Sequence, residues 1–296
     1  MTGGDRAAPA PGRGDVGLYA YAALLYLFFY APVIYLVVFS FNDAAATTPP
    51  WRGLTFQWYR QIFSNSDLWR AFGNSLSLGL VASVISVTLG MLVAFAFRWP
   101  FRGKPAVFAL LLLPMLTPGI VFGVALTLLW RVLGLTPSLF TSTLVAHVTY
   151  TLPFAFLVIF TRLHRFDRAL EEAAMDLGAD PLTTFRRVTL PLILPGLVAA
   201  AIFCFTLSFD EFIRTLFVIG NENTLPMYLW SMIMTDSTPQ TSAVGSVIVA
   251  FSLTWILVGY LLPPPPPPPP RGRLAMTSRP PRRRVARLAA RAKVRA

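Results

Sequence analysis

The sequence predicts an all-α, polytopic membrane protein with six transmembrane helices. Of its 296 residues, 55% are hydrophobic and only 13% are charged, a balance too apolar for an ordinary soluble domain. Six segments are apolar over roughly 20 residues, the length that a helix needs to cross about 30 Å of hydrocarbon. None of them contains Asp, Glu, Lys or Arg in its interior. The predicted spans are residues 17–41, 75–97, 106–129, 139–160, 192–208 and 242–262.

The predicted organisation begins with a short segment, residues 1–16, that leads into the first span. The apolar run of that span is too long for a cleaved signal peptide, and no small-x-small cleavage site follows it cleanly, so we expect a retained anchor. The next loop contains FQWYRQIF, at residues 56–63, which predicts a short amphipathic helix. Its aromatic side chains fit either a belt at the membrane boundary or a contact surface for a partner protein.

The middle spans carry prolines and few ionisable side chains. Pro114 and Pro118 lie in the third span, where they predict a kink. His147 lies well inside the fourth span, and we interpret it as a residue that packs or makes hydrogen bonds between helices. Cys204, the single cysteine, excludes an internal disulfide and is interpreted as a small core residue.

The loop at residues 162–191, between the fourth and fifth spans, predicts a helix, a sharp turn and a second helix. An apolar stripe at helical spacing comprises Leu170, Ala173, Ala174 and Leu177. Gly178 is typical of the left-handed residue after a helix C-terminus, while Asp180 and Pro181 are typical of an N-cap and a first helical position. The second helix is predicted to end at about Val188. The stripe forms a shallow face that another protein could approach closely.

Two further interpretations of this loop are open from its pattern alone. A DNA-binding helix-turn-helix has a similar outline, but the bilayer on either side would block the approach of a duplex. An amphipathic segment lying on the lipid surface is the other.

A family resemblance identifies the loop more specifically. Glu172, Ala173 and Ala174, then Gly178, then VTLP at residues 188–191, resemble the EAA signature of permease subunits of binding-protein-dependent ABC importers. The resemblance implies a type I importer fold and a coupling helix that docks on a cytoplasmic ATP-binding subunit. The docking residues that follow are Glu171, Glu172, Ala173, Ala174, Asp176, Gly178, Asp180, Pro181, Leu190 and Pro191.

The distribution of basic residues predicts the orientation independently of this resemblance. If the N-terminus is cytoplasmic, 20 of the 25 Lys and Arg residues fall on the cytoplasmic side. This assignment places both termini and the loop at residues 162–191 in the cytoplasm. We therefore expect a multi-pass protein of the bacterial inner membrane.

An acidic pair, Asp210 and Glu211, falls where the fifth span leaves the hydrocarbon. It predicts either an anionic patch along a translocation path, which would favour cationic solutes, or a solvated pair bonded to Arg214. The segments FDEF (209–212) and NTLPMYLWSM (223–232) resemble the polyamine branch of these permeases, that of spermidine/putrescine importers. Related branches that carry other small organic solutes or ferric iron share much of this pattern.

The tail departs from the family pattern. Eight consecutive prolines, residues 263–270, predict a stiff polyproline II rod, and an Arg-rich segment follows. The tail is interpreted as a segment that adheres to anionic headgroups, as a dispensable disordered extension, or as the product of a reading-frame slip. Because ten of the basic residues lie here, the net charge of +12 points to membrane lipid and not to nucleic acid.

The sequence predicts no catalytic site and no ATP-binding site in this chain. Gly103 and Lys104 are followed by Pro105, where a phosphate-binding loop would place Ser or Thr, and no paired-carboxylate, metal or nucleophile pattern is found. The resemblance therefore implies that ATP and magnesium are bound by two copies of a partner subunit. It also implies a second permease subunit, a different chain, and a periplasmic or lipid-anchored solute-binding protein. An ion-coupled secondary transporter and a membrane-embedded enzyme are the alternatives from other classes.

Overall fold

The computed structural model describes residues 13–44, 47–235 and 238–261. The proline- and arginine-rich tail and most of the predicted N-terminal segment lie outside these ranges. The helices are α1 (Arg13–Phe39), α2 (Gln57–Ser64), α3 (Ser66–Ala96), α4 (Lys104–Leu116), α5 (Gly119–Val132), α6 (Leu144–His164), α7 (Ala169–Asp176), α8 (Pro181–Thr184), α9 (Leu190–Phe209), α10 (Ile213–Val218), α11 (Leu225–Thr235) and α12 (Pro239–Leu261). Two π-helical turns, Leu139–Thr143 and Phe185–Thr189, lead directly into α6 and α9. The described residues contain no strand, only an isolated bridge between Asn42 and Leu54, which confirms the all-α class.

Each predicted span overlaps one helix, except the third, which overlaps two. Four stretches of the described chain are single helices long and apolar enough to cross a membrane, namely Gly17–Phe39, Ser66–Ala96, Leu139–His164 and Pro181–Phe209. Helix α12 covers the position of the last predicted span. The second span begins at Ser66 and not at Ser75, because the side chain of Asn65 caps α3 by accepting hydrogen bonds from the backbone amides of Asp67 and Leu68.

The third span was predicted to be kinked by its prolines, and the structure breaks it at that position. It consists of two helices, α4 and α5, which meet at an angle of 103°. The break falls at Thr117 and Pro118, where the backbone is extended. Pro118 has no amide proton to donate, and its ring disfavours a helical conformation for Thr117, so the chain stops one helix and starts another.

The centre of the fold is a bundle of α3, α6 and α9. Small residues on the buried face of α3 allow close approach: a Cβ added to Gly90 would lie 2.9 Å from the backbone nitrogen of Phe156 on α6. Hydroxyl groups supply hydrogen bonds between helices, from Ser83 to the carbonyl of Ala201 at 2.7 Å and between Ser86 and Thr151 at 2.7 Å. This combination of small and hydroxyl-bearing residues is typical of helix packing in membranes, where apolar burial alone gives little attraction.

Helix α1 stands apart from this bundle. The most apolar part of this helix lies within residues 17–39, and no residue of that part is buried against the rest of the chain. Its C-terminal end is attached, since Leu36 lies against Gly245 of α12 and the hydroxyl of Ser40 is hydrogen-bonded to that of Tyr59 on α2 at 2.7 Å. The predicted amphipathic helix at residues 56–63 is confirmed as α2, and its aromatic residues serve this attachment.

Candidate functional site

The predicted turn at Gly178 is confirmed and has a specific hydrogen-bond pattern. Gly178 follows α7 with φ +90°, a conformation that a residue with a side chain adopts only with strain. Its amide donates to the carbonyl of Met175 at 2.9 Å, and the amide of Ala179 donates to that of Ala174 at 3.1 Å. These two bonds form a Schellman motif, which closes the C-terminus of α7 and reverses the chain.

The second helix of the loop begins as predicted and ends far later. Asp180 occupies the N-cap position and Pro181 the first position of α8. The predicted end at about Val188 was wrong, because α8, a π-helical turn and α9 form one helix of 29 residues, Pro181–Phe209. The wider π-helical turn directly precedes Leu190 and Pro191 and lets the helix continue past a residue that lacks an amide proton. The loop and the fifth span are therefore one mechanical element.

Glu171 faces its own chain. The guanidinium of Arg98, just beyond the end of α3, donates to both carboxylate oxygens at 2.9 and 2.6 Å, and the hydroxyl of Thr189 donates to one of them at 2.6 Å. The hydrogen bonds from Arg98, before other causes, lower the pKa of the Glu171 carboxyl below its usual value. Glu171 thus ties α7 to α3 and to the π-helical turn, whereas Glu172 and Asp176 are exposed.

The predicted docking face is open. Leu177 is 90% exposed, and Met175 and Leu182 are also exposed. Of the two alanines of the stripe, Ala173 is exposed and Ala174 is half-buried. Large apolar side chains on a polar loop outside the bundle are unfavourable in water and are typical of a surface that a partner covers.

The structure separates the acidic pair at the end of the fifth span. Asp210 is exposed at the C-cap of α9. Glu211 is buried, and it accepts hydrogen bonds from the backbone amide and the guanidinium of Arg214 at 2.8 and 2.9 Å. Asp210 is therefore accessible from outside the chain, while Glu211 neutralises a buried arginine.

Arg214 belongs to a polar cluster that was not predicted from the sequence. Its guanidinium lies 3.8 Å from the centre of the Tyr150 ring and 3.4 Å from the carbonyl oxygen of Thr117, at the break in the third span. The i, i+3 spacing to Glu211 was the one signal in the sequence. Tyr150 and Thr117 are far away in the chain and could not have been linked to it.

His147 is confirmed as a residue that makes hydrogen bonds between helices. One ring nitrogen is 2.7 Å from the hydroxyl of Ser208 on α9, and the other is 2.8 Å from that of Thr215 on α10. The ring is buried, and both of its polar atoms are used. Across residues 13–44, 47–235 and 238–261, no group of three or more His, Cys, Asp and Glu residues could hold a metal ion.

Comparisons with known proteins agree on one family. A model of the family described as "Binding-protein-dependent transport system inner membrane component" matches residues 86–263, more than half of the chain. The chain is 36% identical, over 82% of its length and 95% of the relative, to the spermidine/putrescine transport system permease protein PotC of Haemophilus influenzae. It is 34% identical to PotC of Escherichia coli K12, over 80% and 90% of the two chains. It is 32% identical to the putrescine permease protein PotI of the same strain, over 80% and 87%.

Solved structures show the same fold at lower identity. A bacterial ABC transporter involved in the import of alginate matches with a TM-score of 0.61 and 21% identity, over 86% of this chain and all of the other. The inward-facing MetNI methionine ABC transporter matches with a TM-score of 0.53 and 20% identity, over 70% and 95%. At these identities the likeness concerns the fold.

Proposed function

The chain belongs to the family of inner-membrane components of binding-protein-dependent transport systems, and from this we propose that it forms half of the translocation path for a polyamine. It is a permease subunit of an ABC importer, a transport protein and not an enzyme. Spermidine or putrescine as the solute is supported by relatives whose names specify these two compounds and that align over four fifths of the chain. Other small organic solutes and ferric iron are the competing cargoes.

The exposed face of α9 has the chemistry that a polyamine requires. Phe203 and Asp210 lie seven residues apart and share this face, and both are exposed. The ring of Phe203 is 5.6 Å from that of Phe154 on α6, which is in turn 5.5 Å from that of Tyr150. A polyamine alternates protonated amines with short methylene chains, so aromatic faces and one unpaired carboxylate suit it. We assign this face to the path, with Asp210 as its charged group and Glu211 as the residue that holds Arg214 in place.

The loop at residues 162–191 is proposed as the docking element for the ATP-binding subunit. Its exposed apolar residues, Met175, Leu177 and Leu182, would be covered by a cleft of that subunit, with Glu172 and Asp176 at the rim. Because the helix that begins at Pro181 continues to Phe209, a displacement of the docked loop would move the fifth span directly. ATP and magnesium would be bound by the partner, in two copies per transporter.

A second permease subunit would complete the path. Helix α1 is a long apolar helix that the chain itself leaves uncovered, which supports a neighbouring subunit or lipid around it. We propose a different polypeptide as the companion, a separate solute-binding protein on the outer side, and both termini in the cytoplasm. In this arrangement residues 17–262 form the permease domain, and the segments on either side of it, residues 1–16 and 263–296, are cytoplasmic.

Uptake of labelled spermidine and putrescine by the native host tests the proposal. The gene is deleted and then restored as wild type, as Glu172→Lys, as Asp210→Asn, or as Asp67→Asn, a control that removes an exposed acid from the start of α3. We expect deletion to abolish uptake and Asp67→Asn to restore it. Glu172→Lys and Asp210→Asn should not restore uptake, although both proteins are present in the membrane at normal levels. Unchanged polyamine uptake after deletion would contradict the assigned solute. Uptake that persists without any ATP-binding subunit would favour an ion-coupled transporter.

A further inference from the structure

A basic pocket lies beside the loop, at the ends of the membrane helices. It has a volume of about 200 Å³ and is bounded by the C-terminal ends of α3 and α6, the start of α4, and the segment that leads into α7. Four of its nine lining residues are basic or imidazole side chains, Arg98, Lys104, His164 and Arg168, and none is acidic. The other lining residues are Ala94, Phe97, Phe160, Leu163 and Phe166.

Two of these cations are held in place by backbone carbonyls and aromatic rings, although the Glu171 carboxylate also acts on Arg168 from a longer distance. The ammonium group of Lys104 donates to the carbonyl of Phe97 at 2.6 Å and lies 5.5 Å from the centre of that ring. The guanidinium of Arg168 donates to the carbonyl of Arg98 at 2.8 Å and lies 5.7 Å from the ring of Trp99. Within the described part of the chain, neither side chain forms an ion pair with a carboxylate, whereas Arg98 is neutralised by Glu171. The pocket therefore has fixed positive charge available for an anion.

The position of the pocket indicates where that anion comes from. Trp99, which is 68% exposed, and Phe101, also exposed, lie between α3 and α4, and aromatic residues at such a position mark the boundary between hydrocarbon and water. On the adjoining helix α4, the apolar side chains of Val107 and Leu110 are also exposed. An anion at this depth, next to a surface that acyl chains can cover, is the phosphodiester of a phospholipid headgroup.

We propose that this pocket binds the headgroup of an acidic phospholipid through Lys104 and Arg168. Arg98 lines the same pocket and holds Glu171, so the bound headgroup lies against the residue that anchors the loop. The lipid would thus add negative charge next to Arg98, whose ion pair with Glu171 joins the end of α3 to α7. The inference requires only that the chain lies in a membrane, and it is independent of which solute is carried.

Lipid retention measures this site directly. The full-length chain, co-expressed with its partner subunits, is transferred to nanodiscs that contain phosphatidylethanolamine, phosphatidylglycerol and cardiolipin, and the lipids that it retains are counted by native mass spectrometry. The variants are Arg168→Gln, which leaves the hydrogen bond of Lys104 to α3 intact, and Lys104→Gln/Arg168→Gln. The matched control is Arg102→Gln/Arg165→Gln, which removes two exposed charges at the same end of the molecule but outside the pocket lining.

We expect retention of phosphatidylglycerol or cardiolipin over phosphatidylethanolamine, with affinity reduced about fivefold for each pocket charge removed and little changed in the control. Equal loss in the control and pocket variants would overturn the proposal, because it would show a diffuse surface charge and not a site. Inorganic phosphate is added in a second arm. If it displaces the lipid at millimolar concentration, or binds when no acidic lipid does, the assignment to a lipid is contradicted in favour of a free anion.

Discussion

Arg98 and Glu171 join the end of α3 to the loop helix α7 through two parallel hydrogen bonds of 2.9 and 2.6 Å. Both side chains are largely shielded from solvent, and the two residues are 73 positions apart in the sequence. Because Thr189 donates to the same carboxylate, the pair also reaches the helix that continues into the fifth span. The loop is therefore anchored to two spans at one carboxylate, and its outer face is left free.

Removal of this anchor should loosen the loop without unfolding the bundle. Bidentate hydrogen bonds between charged groups are worth roughly 1.5–3 kcal/mol, so Glu171→Ala is expected to accelerate backbone hydrogen exchange in α7 by about tenfold or more. Exchange in α3 and α6 should be unchanged. The control is Glu172→Ala, which removes an exposed acid one position away. Equal acceleration in both variants would mean that the anchor contributes nothing specific.

The stabilisation by Glu171 should depend on pH in one direction. Its carboxyl has a pKa lowered from 4.5, first by the hydrogen bonds from Arg98, so folding favours the ionised form. Such a carboxyl contributes its full stabilisation of the folded state above the pKa that it has in the unfolded chain. This contribution is lost as the pH falls through the lower pKa of the folded state. We expect the difference in α7 exchange between wild type and Glu171→Gln to be constant from neutral pH down to about 5 and to shrink below about 4.5. A difference that grows on acidification contradicts this assignment.

Substitutions at Gly178 can distinguish the cost of backbone strain from the loss of a partner contact. Its φ of +90° strains any other residue, but a Cβ there would meet nothing within 4 Å in this chain. Gly178→Ala should cost about 1 kcal/mol, whereas Gly178→Asn should cost less, because Asn tolerates the left-handed region. Gly178→Trp adds far more bulk at this open position, so we expect it to abolish transport while the chain is inserted normally, and Gly178→Ala gives the effect of the strain alone. Transport at the wild-type rate in Gly178→Trp would argue against docking at this turn.

Gly90 and Gly73 form a matched pair on α3. A methyl group at Gly90 would lie 2.9 Å from the Phe156 backbone nitrogen and 3.0 Å from the Ala155 Cβ, whereas at Gly73 it would meet nothing within 4 Å. We expect Gly90→Ala to destabilise the packing of α3 on α6 by roughly 1–3 kcal/mol. Gly73→Ala should be neutral or stabilising by up to about 1 kcal/mol. Thermal unfolding in detergent measures the effect of each substitution. Equal melting temperatures of the two variants would show that the fold does not require the close approach of α3 to α6 at Gly90.

The positions of the spans and the turn at Gly178 could be read from the sequence because both depend on local chemistry. Apolar runs of the right length place helices in the membrane, and glycine at a helix C-terminus followed by Asp180 and Pro181 specifies a turn whatever surrounds it. The continuation of the second helix past Pro191 could not be predicted, because no short sequence motif specifies a π-helical turn. Pro118 itself accounts for the end of one helix and the start of the next, but no short motif specifies the angle of 103° between them.

The roles of the acidic residues depended on contacts across the chain. Glu171 and Glu172 look alike in sequence, but only the first is within reach of Arg98, which belongs to another span. Asp210 and Glu211 are likewise adjacent, and the structure leaves one exposed and buries the other against Arg214. For Glu171 and Glu172 the phase of a short helix decides which neighbour faces inward, and that phase is set by tertiary packing. Asp210 and Glu211 lie in the break between α9 and α10, where contacts with other parts of the chain orient each side chain.

Docking of the loop on an ATP-binding subunit is tested most directly by photo-crosslinking from Leu177, which is 90% exposed. Leu177 is replaced by benzoylphenylalanine in the native host, with Phe63 on α2, also exposed, as the control site. We predict an adduct from position 177 whose partner contains a GxxxxGK[ST] phosphate-binding loop, its loss in a Glu172→Lys background, and no such adduct from position 63. Adducts from position 177 with lipid alone, in a normally inserted chain, would contradict the account.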